Sequence, residues 1–157
     1  MIKYKAIKIN KENSLIISDI IYKTYQTFNK NEGGKKSLTN FLSQYDKAIH
    51  SADDLAKKFK KLDINFAAFS NKRMVGIIRG KNNRIINLFV DGNFHNHGIG
   101  RKLVSLLEQQ AKKEKSKYVK IRSSMYAIKF YTKLGYKKTT GVRLYRGLKI
   151  QPMKKEL

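Results

Sequence analysis

The segment from Leu88 to Lys102 is the part of the chain best suited to chemistry. It has the pattern of a strand, a turn and the start of a helix, with Gly98 and Gly100 at the turn. The first N–H groups of a helix lack intrahelical partners, and the helix dipole adds partial positive charge there. Glycines let an anion approach such a backbone closely, and Arg101 and Lys102 add full charges. The segment therefore predicts a site for a phosphate-bearing ligand.

Two familiar phosphate motifs do not fit this segment. A dinucleotide fingerprint would need a third glycine where Leu103 stands, and a Walker A loop would need Gly-Lys followed by Ser or Thr. An ordinary glycine-rich turn is the alternative on this local pattern alone.

A second motif lies downstream, between Ala127 and Tyr136. With the first segment, it resembles the GNAT superfamily of acyl-CoA-dependent N-acyltransferases. The first family consensus, Val-x-Pro, two residues and then Arg/Gln-x-x-Gly-x-Gly/Ala, has its places filled here by Val90, His95, Gly98 and Gly100. The second, Ala-x-x-Phe-Tyr-x-x-Leu-Gly-Phe, is matched at Ala127, Phe130, Tyr131, Leu134 and Gly135, with Tyr136 for the final Phe. Three positions depart from the family pattern: Gly92 replaces Pro, His95 replaces Arg or Gln, and Ser124 stands where many members have an Asn that touches the cofactor.

The resemblance implies that acetyl-CoA is the co-substrate. It implies that Leu88, Phe89 and Val90 lend backbone groups to the pantetheine arm. The pyrophosphate would be held by a run of backbone amides, those of His95, Asn96, His97, Gly98, Ile99, Gly100 and Arg101. Lys102 would add charge, and Ser124 would lie against the cofactor.

The resemblance also implies that Tyr131 is the general acid that protonates the departing thiolate. The alternative is a packing role, since Phe130 beside it has the same aromatic character. The general base has no obvious candidate, because the strands expected at Ile85–Val90 and Val119–Arg122 contain no Glu. Asp91 is the nearest acid and could instead cap its turn. A water relay, a backbone carbonyl or an acceptor that arrives neutral would serve as well.

The His-x-His pair at His95 and His97 could ligate a metal from a strand. Only His50 remains as a third imidazole and the chain has no Cys, so no metal site is expected. The missing Cys also excludes disulfides and a thioester intermediate on the enzyme.

The elements that must position these residues follow from apolar spacing. Apolar residues predict a first strand through Tyr4, Ile7 and Ile9, and a helix from about Ser14. A second helix is expected to be capped by Ser37, with Leu38, Phe41, Leu42, Tyr45 and Ile49 on its apolar face, and a third to be capped by Ser51. Three strands follow at 64–69, 74–79 and 85–90, then a helix from about Gly98 to Lys115.

The rest of the chain is expected to form a strand, a helix and two strands. These lie at Val119–Arg122, at about Ala127–Leu134 with Gly135 ending the helix, and at Val142–Tyr145 and Leu148–Met153. This order predicts an α/β (α+β) fold, with one mixed, mostly antiparallel sheet flanked by helices. Asn29–Ser37 is expected to be the most mobile loop.

At 157 residues and 41% hydrophobic content, the chain fits one domain over 1–157. No signal-peptide core and no apolar run of about 20 residues is present, so the expected location is cytoplasmic, away from membranes.

The net charge of +24 would attract nucleic acid or other anions. Lysines at 57–61 and 112–117 can equally be solvated helix faces, and Arg, the main base reader, is scarce.

The acceptor is expected to be an amine bearing a carboxylate or phosphate, or an acidic protein N-terminus. In relatives, the regions at Tyr25–Ser37 and Val142–Ile150 line the acceptor site. Here they carry Lys35, Lys36, Arg143 and Arg146 against the single acid Glu32. Like-charge repulsion disfavours polycationic acceptors at such a surface. Two non-enzymatic functions are the alternatives to an acetyltransferase. One is an acyl-CoA sensor without catalysis, and the other is a basic nucleic-acid-binding module on the same scaffold.

Overall fold

The computed structural model describes residues 1–157. The elements follow along the chain in this order: β1 (Ile2–Ala6), α1 (Lys11–Phe28), α2 (Lys35–Ser43), α3 (Ala52–Phe59), β2 (Ile64–Ser70), β3 (Arg73–Lys81), β4 (Arg84–Val90), a 3-10 turn (Gly92–Phe94), α4 (Ile99–Lys113), β5 (Tyr118–Ser124), α5 (Ile128–Lys133), β6 (Lys137–Lys138), β7 (Arg143–Tyr145) and β8 (Leu148–Glu156).

All eight strands belong to one sheet with the order β1-β2-β3-β4-β5-β8-β6, and β7 pairs with β8 outside this path. Only the β4–β5 pair is parallel. The predicted α/β fold with a mixed, mostly antiparallel sheet is therefore confirmed. No helix is both long enough and apolar enough to cross a membrane.

Local details differ from the sequence pattern in the helical third of the chain. The second helix begins at Lys35 with Gly34 as its N-cap, so the expected cap at Ser37 is wrong. It ends at Ser43, and Ile49, expected on its apolar face, is 65% exposed. The cap at Ser51 is confirmed, because its hydroxyl accepts the Asp54 N–H at 3.1 Å. The two-residue strand β6 was not predicted.

The core has two layers, one on each face of the sheet. On one face, Leu103 and Leu107 of α4 pack with Val75 and Ile78 of β3. On the other face, the apolar sides of α1 and α3 pack with Ala67 and Ile77, among others. Burial on both faces explains why β3 is almost continuously apolar, without the alternation of a half-exposed strand.

The sheet opens between β4 and β5. These strands pair only at Arg84 with Lys120 and at Ile85 with Ile121. In the β3–β4 register, Ile86 has no partner, which marks a bulge immediately before the opening. A bulge bends its strand and increases the local twist. Beyond the bulge, the rest of β4 diverges from β5.

The loop after α1, expected to be mobile, is fastened to the rest of the protein. Glu32 is 3% exposed. Its carboxylate accepts the backbone N–H groups of Met125 and Tyr126, each at 2.9 Å. Its carbonyl oxygen accepts the N–H of Lys149 at 2.7 Å. One residue thus ties this loop both to the β5–α5 turn and to β8.

Candidate active site

The opening between β4 and β5 is the mouth of a cavity of about 1600 Å³. Most of the residues singled out in the sequence line it: Leu88, Phe89, Val90, His95, Asn96, Gly98, Ile99, Gly100, Arg101, Ser124 and Tyr131. His97 and Lys102 do not line it and are exposed. Two segments far apart in the sequence are therefore brought to one cavity by β4, β5 and the starts of α4 and α5.

Six successive backbone N–H groups at the start of α4 are unused. None of the amides from Asn96 to Arg101 donates a hydrogen bond within the protein. The His95 N–H is bonded to the Gly92 carbonyl, and the Lys102 N–H to the Gly98 carbonyl. The run of free donors is thus one residue shorter than the sequence suggested. Six free donors at the positive end of a 15-residue helix are an arrangement suited to binding an anion.

Gly98 and Gly100 of this turn each require glycine, but for different structural reasons. Gly98 has a φ of +77°, in the left-handed region, and the space beside it is open. Gly100 lies against α5, and a Cβ there would be 3.1 Å from Phe130 Cζ. The first glycine therefore shapes the free amides, and the second allows α4 and the Tyr131 helix to approach.

The edge of β4 offers backbone groups to the cavity. In an antiparallel ladder the residues alternate between facing the partner strand and facing away. Asp91 donates to the Val75 carbonyl, so the groups of Phe89 face β3, and those of Leu88 and Val90 face the opening. The Val90 carbonyl is already used, because His95 Nε2 lies 2.7 Å from it. A carbonyl can only accept, so this nitrogen of His95 carries the hydrogen.

Tyr131 stands in the cavity wall on α5. It is 3% exposed, and its ring meets those of Phe130 and Tyr136 edge to face at 5.0 and 5.4 Å. Its hydroxyl has no hydrogen bond within the protein. Among side-chain oxygens without a partner, only Ser18 Oγ is fully inaccessible, so the Tyr131 hydroxyl is accessible. The Tyr131 hydroxyl therefore reaches the cavity. Burial raises the pKa of Tyr131 well above its usual value, so the phenol stays protonated.

No acid lies in the cavity wall. Asp91 accepts the Asn93 N–H at 3.0 Å and pairs with Arg73, which confirms the capping role offered as the alternative for it. The wall instead carries seven cationic side chains, none of them in a salt bridge: Arg84, Arg101, Arg122, Lys129, Lys133, Arg146 and Lys149. No group of three His, Asp or Glu side chains is placed to hold a metal.

Sequence reasoning missed the far wall of the cavity. Phe41 and Tyr45, from α2 and the residues after it, line the cavity together with Asn87 of β4. Behind Asn87 lies the guanidinium of Arg79, which is 3% exposed. An arginine inside the apolar run of β3 was the available signal, because a charge in a two-face buried strand needs partners.

The site fits a ligand with phosphates at one end and an extended, amide-bearing arm at the other. A family model described as an acetyltransferase (GNAT) domain matches residues 24–157. The chain therefore belongs to the GNAT acetyltransferase family, as the two motifs indicated. The sequence has no significant match among curated proteins.

Solved structures share the fold at low sequence identity. A GCN5-related N-acetyltransferase from Rhodopseudomonas palustris superposes with a TM-score of 0.83 and 17% identity, covering 99% of this chain and 95% of that chain. The PaiA N-acetyltransferase of Thermoplasma acidophilum, solved with coenzyme A, gives 0.71 and 17% over 99% of both chains. An aminoglycoside 6'-acetyltransferase type Ii gives 0.70 and 20%, over 99% and 96%.

Proposed function

We propose that residues 1–157 form a single N-acetyltransferase domain that transfers the acetyl group of acetyl-CoA to a primary amine. The observation that carries this proposal is the run of six unused amides beside the opened strand pair, with the Tyr131 hydroxyl in the same cavity. The family match supports the reaction class. The coenzyme A bound to the PaiA relative supports the cofactor.

In this proposal the pyrophosphate binds the amides from Asn96 to Arg101. The pantetheine arm then lies along β4 and pairs with the free backbone groups of Leu88 and with the Val90 N–H. Ser124 at the end of β5 borders the cofactor. His95 acts indirectly, because its ring holds the turn against the end of β4.

The chemistry is a direct attack in a ternary complex. The neutral amine attacks the thioester carbon, and whichever of the Leu88 and Val90 N–H groups the pantetheine arm leaves unpaired donates to the oxyanion. Collapse breaks the carbon–sulfur bond, and Tyr131 gives its proton to the thiolate. The proton lost by the amine passes through water and restores Tyr131. No covalent enzyme intermediate is needed.

The absence of acids in the cavity wall bears on how the amine loses its first proton. Seven unpaired cations line the cavity as a whole, and positive charge near the acceptor lowers the pKa of a bound ammonium group. The acceptor is therefore delivered largely as the neutral amine, and no carboxylate base is required. Water remaining in the cavity accepts the proton.

The same charges favour an anionic acceptor. A polycation would meet a wall that carries seven cations and no acidic side chain, whereas a carboxylate or phosphate on the acceptor would be attracted. This separates the chain from the aminoglycoside acetyltransferase that shares its fold, because aminoglycosides are polycationic. An amine bearing a carboxylate or phosphate, or an acidic protein N-terminus, is the proposed acceptor class.

Thermal unfolding with and without acetyl-CoA, at physiological salt, tests the proposal. At about 100 times the dissociation constant, the ligand adds about 2.7 kcal/mol, or roughly 5 to 10 °C. ADP is the control, because it carries phosphates without the pantetheine arm. A shift for acetyl-CoA that exceeds the ADP shift, followed by thiol release with an amine, supports the enzyme. Equal shifts without turnover would instead favour a basic binding module.

A further inference from the structure

Arg79 is a buried cation without an acid. Its guanidinium donates to Asn65 Oδ1 at 3.2 Å, to Asn87 Oδ1 at 2.9 Å and to the Phe59 carbonyl at 2.8 Å, and it makes no salt bridge. Burial lowers the pKa of Arg79 to about 10, so it remains charged at neutral pH. A buried charge with only neutral partners is costly. Its field extends into the cavity through Asn87, the one of these partners that lines the wall.

Arg79 also sets the direction of the Asn87 amide. Arginine has only donors, so the oxygen of Asn87 must face it and the NH2 group must point away. That NH2 group points to the Tyr45 hydroxyl oxygen, whose pKa its hydrogen bond lowers. Asn87 therefore presents donors to the cavity and cannot act as a base, because its acceptor oxygen is occupied.

Tyr45 and Arg146 lie at the same place. Both line the cavity, and the Tyr45 hydroxyl oxygen takes a hydrogen bond from the Asn87 amide. Burial raises the pKa of Tyr45, while the nearby Arg79 charge, the Asn87 amide and the Arg146 charge act in the opposite direction. Polar and cationic side chains from three separate segments thus lie close together at the Tyr45 hydroxyl, with no acidic side chain among them.

The backbone at Arg146 indicates that its side chain matters. Arg146 and Gly147 form the two-residue turn between β7 and β8, with φ values of +51° and +77°. The equivalent first turn residues of the β2–β3 and β3–β4 hairpins are Asn71 and Asn82, the residue type that suits this conformation. Arginine is unfavourable there, and such strain is found where a side chain is required for function.

We infer that Tyr45, Asn87 and Arg146 form a subsite for the anionic group of the acceptor, with Arg79 as the positioning residue of Asn87. This inference rests on the proposed transferase function and assigns the acceptor's carboxylate or phosphate to a defined position. The amine at the other end of the acceptor then points toward the thioester. Acceptor length is set by the span from this subsite to the Tyr131 hydroxyl.

The test is titration calorimetry on protein saturated with coenzyme A, which occupies the amides of residues 96–101. Matched probes are ω-amino acids of two to six carbons against their amides, and O-phosphoethanolamine against ethanolamine. We expect at least one acid, or the phosphate, to bind tenfold or more tightly than its neutral partner. Which of the two pairs shows the preference distinguishes carboxylate from phosphate.

Arg146→Asn is the main variant, because asparagine suits the turn while the charge is lost. We expect about tenfold weaker binding of the preferred anion, an unchanged dissociation constant for acetyl-CoA, and an equal or higher melting temperature. Asn87→Asp, which places a carboxylate in the subsite, should abolish anion preference. Arg143→Gln is the control, since Arg143 lies on the same hairpin but not in the cavity wall.

Equal binding of acids and amides, or an equal loss in Arg143→Gln, would overturn the subsite. Acetyl transfer that proceeds equally well to neutral amines would also overturn it and leave the transferase standing. Failure of acetyl-CoA to bind would overturn the proposed function, and the subsite as an acceptor site with it.

Discussion

Tyr131→Phe separates a catalytic role from a packing role, because the hydroxyl supports nothing else in the protein. The ring packs against Phe130 and Tyr136 and would stay in place. Without a hydrogen bond to lose, the free energy of unfolding should change by less than about 0.5 kcal/mol. Loss of a general acid lowers kcat by about 10²- to 10⁴-fold, or about 3 to 5 kcal/mol of barrier.

Tyr136→Phe is the matched control, with the opposite expectation. Its hydroxyl donates to Glu108 at 3.0 Å, and Lys155 holds the same carboxylate at 3.1 Å. Losing a hydrogen bond to a charged group costs about 1.5 kcal/mol when the remaining partner is kept. The melting temperature should fall by roughly 3 to 6 °C. The activity should stay near that of the unmodified protein.

The assay is thiol release at saturating acetyl-CoA, with melting temperature and coenzyme A affinity measured on the same samples. Tyr131→Phe is expected to lose turnover and keep its stability, whereas Tyr136→Phe is expected to lose stability and keep its turnover. Full turnover in Tyr131→Phe would refute the general-acid role. A loss of stability in Tyr131→Phe as large as that in Tyr136→Phe would show that the Tyr131 hydroxyl makes a structural hydrogen bond.

Three further predictions concern the cofactor turn, the buried carboxylate and pH. Gly98→Ala forces a Cβ onto a φ of +77°, at about 1 kcal/mol, and puts a methyl group beside the free amides; calorimetry should show weaker acetyl-CoA binding, and an unchanged affinity would contradict the amide site. Glu32→Gln keeps one acceptor oxygen for two N–H groups, so unfolding should cost about 1 to 3 kcal/mol less; a melting temperature within 1 °C of the original, roughly the error of the method, would show that the contact matters little. With increasing pH, kcat/KM should rise as the acceptor amine deprotonates. It should not fall again below about pH 10, because burial raises the pKa of Tyr131 and keeps the acid protonated. A decline near pH 9 would exclude a buried phenol as the acid.

The fold and the two motifs that line the cavity were predictable because their signals are local. The strand-turn-helix segment and the Ala127–Tyr136 motif each lie within a short stretch of chain. Their residue types reflect backbone needs, such as the positive φ of Gly98 and the close approach at Gly100. The departures at Gly92 and His95 do not weaken the prediction, because the proposed anion site consists of backbone amides.

The proposed acceptor subsite was predictable only in part: the family resemblance pointed to the region around Arg146, but nothing in the sequence connected it with Tyr45 and Asn87. Tyr45 follows α2, Asn87 lies on β4 and Arg146 is in the last hairpin, and no spacing rule connects them. The loop around Glu32 was predicted to be mobile because it lies in a Gly-rich polar stretch. The partners of the Glu32 carboxylate, Met125 and Tyr126, lie more than 90 positions away along the chain. Only the folded chain shows that this acid is buried and satisfied.

The narrow joint between β4 and β5 has a mechanical consequence. Two residue pairs connect the half of the sheet that contains β1 to β4 with the half that contains β5 to β8. Helix α4, the Glu32 contacts, the Gly33–Leu148 bridge and the Phe28–Tyr126 ring contact also link the halves. Regions joined by so few hydrogen bonds behave as separate cooperative units. Under a pulling force applied across the sheet, the empty protein would part along this line first, and a ligand bound to backbone on both sides would share the load as an added strand.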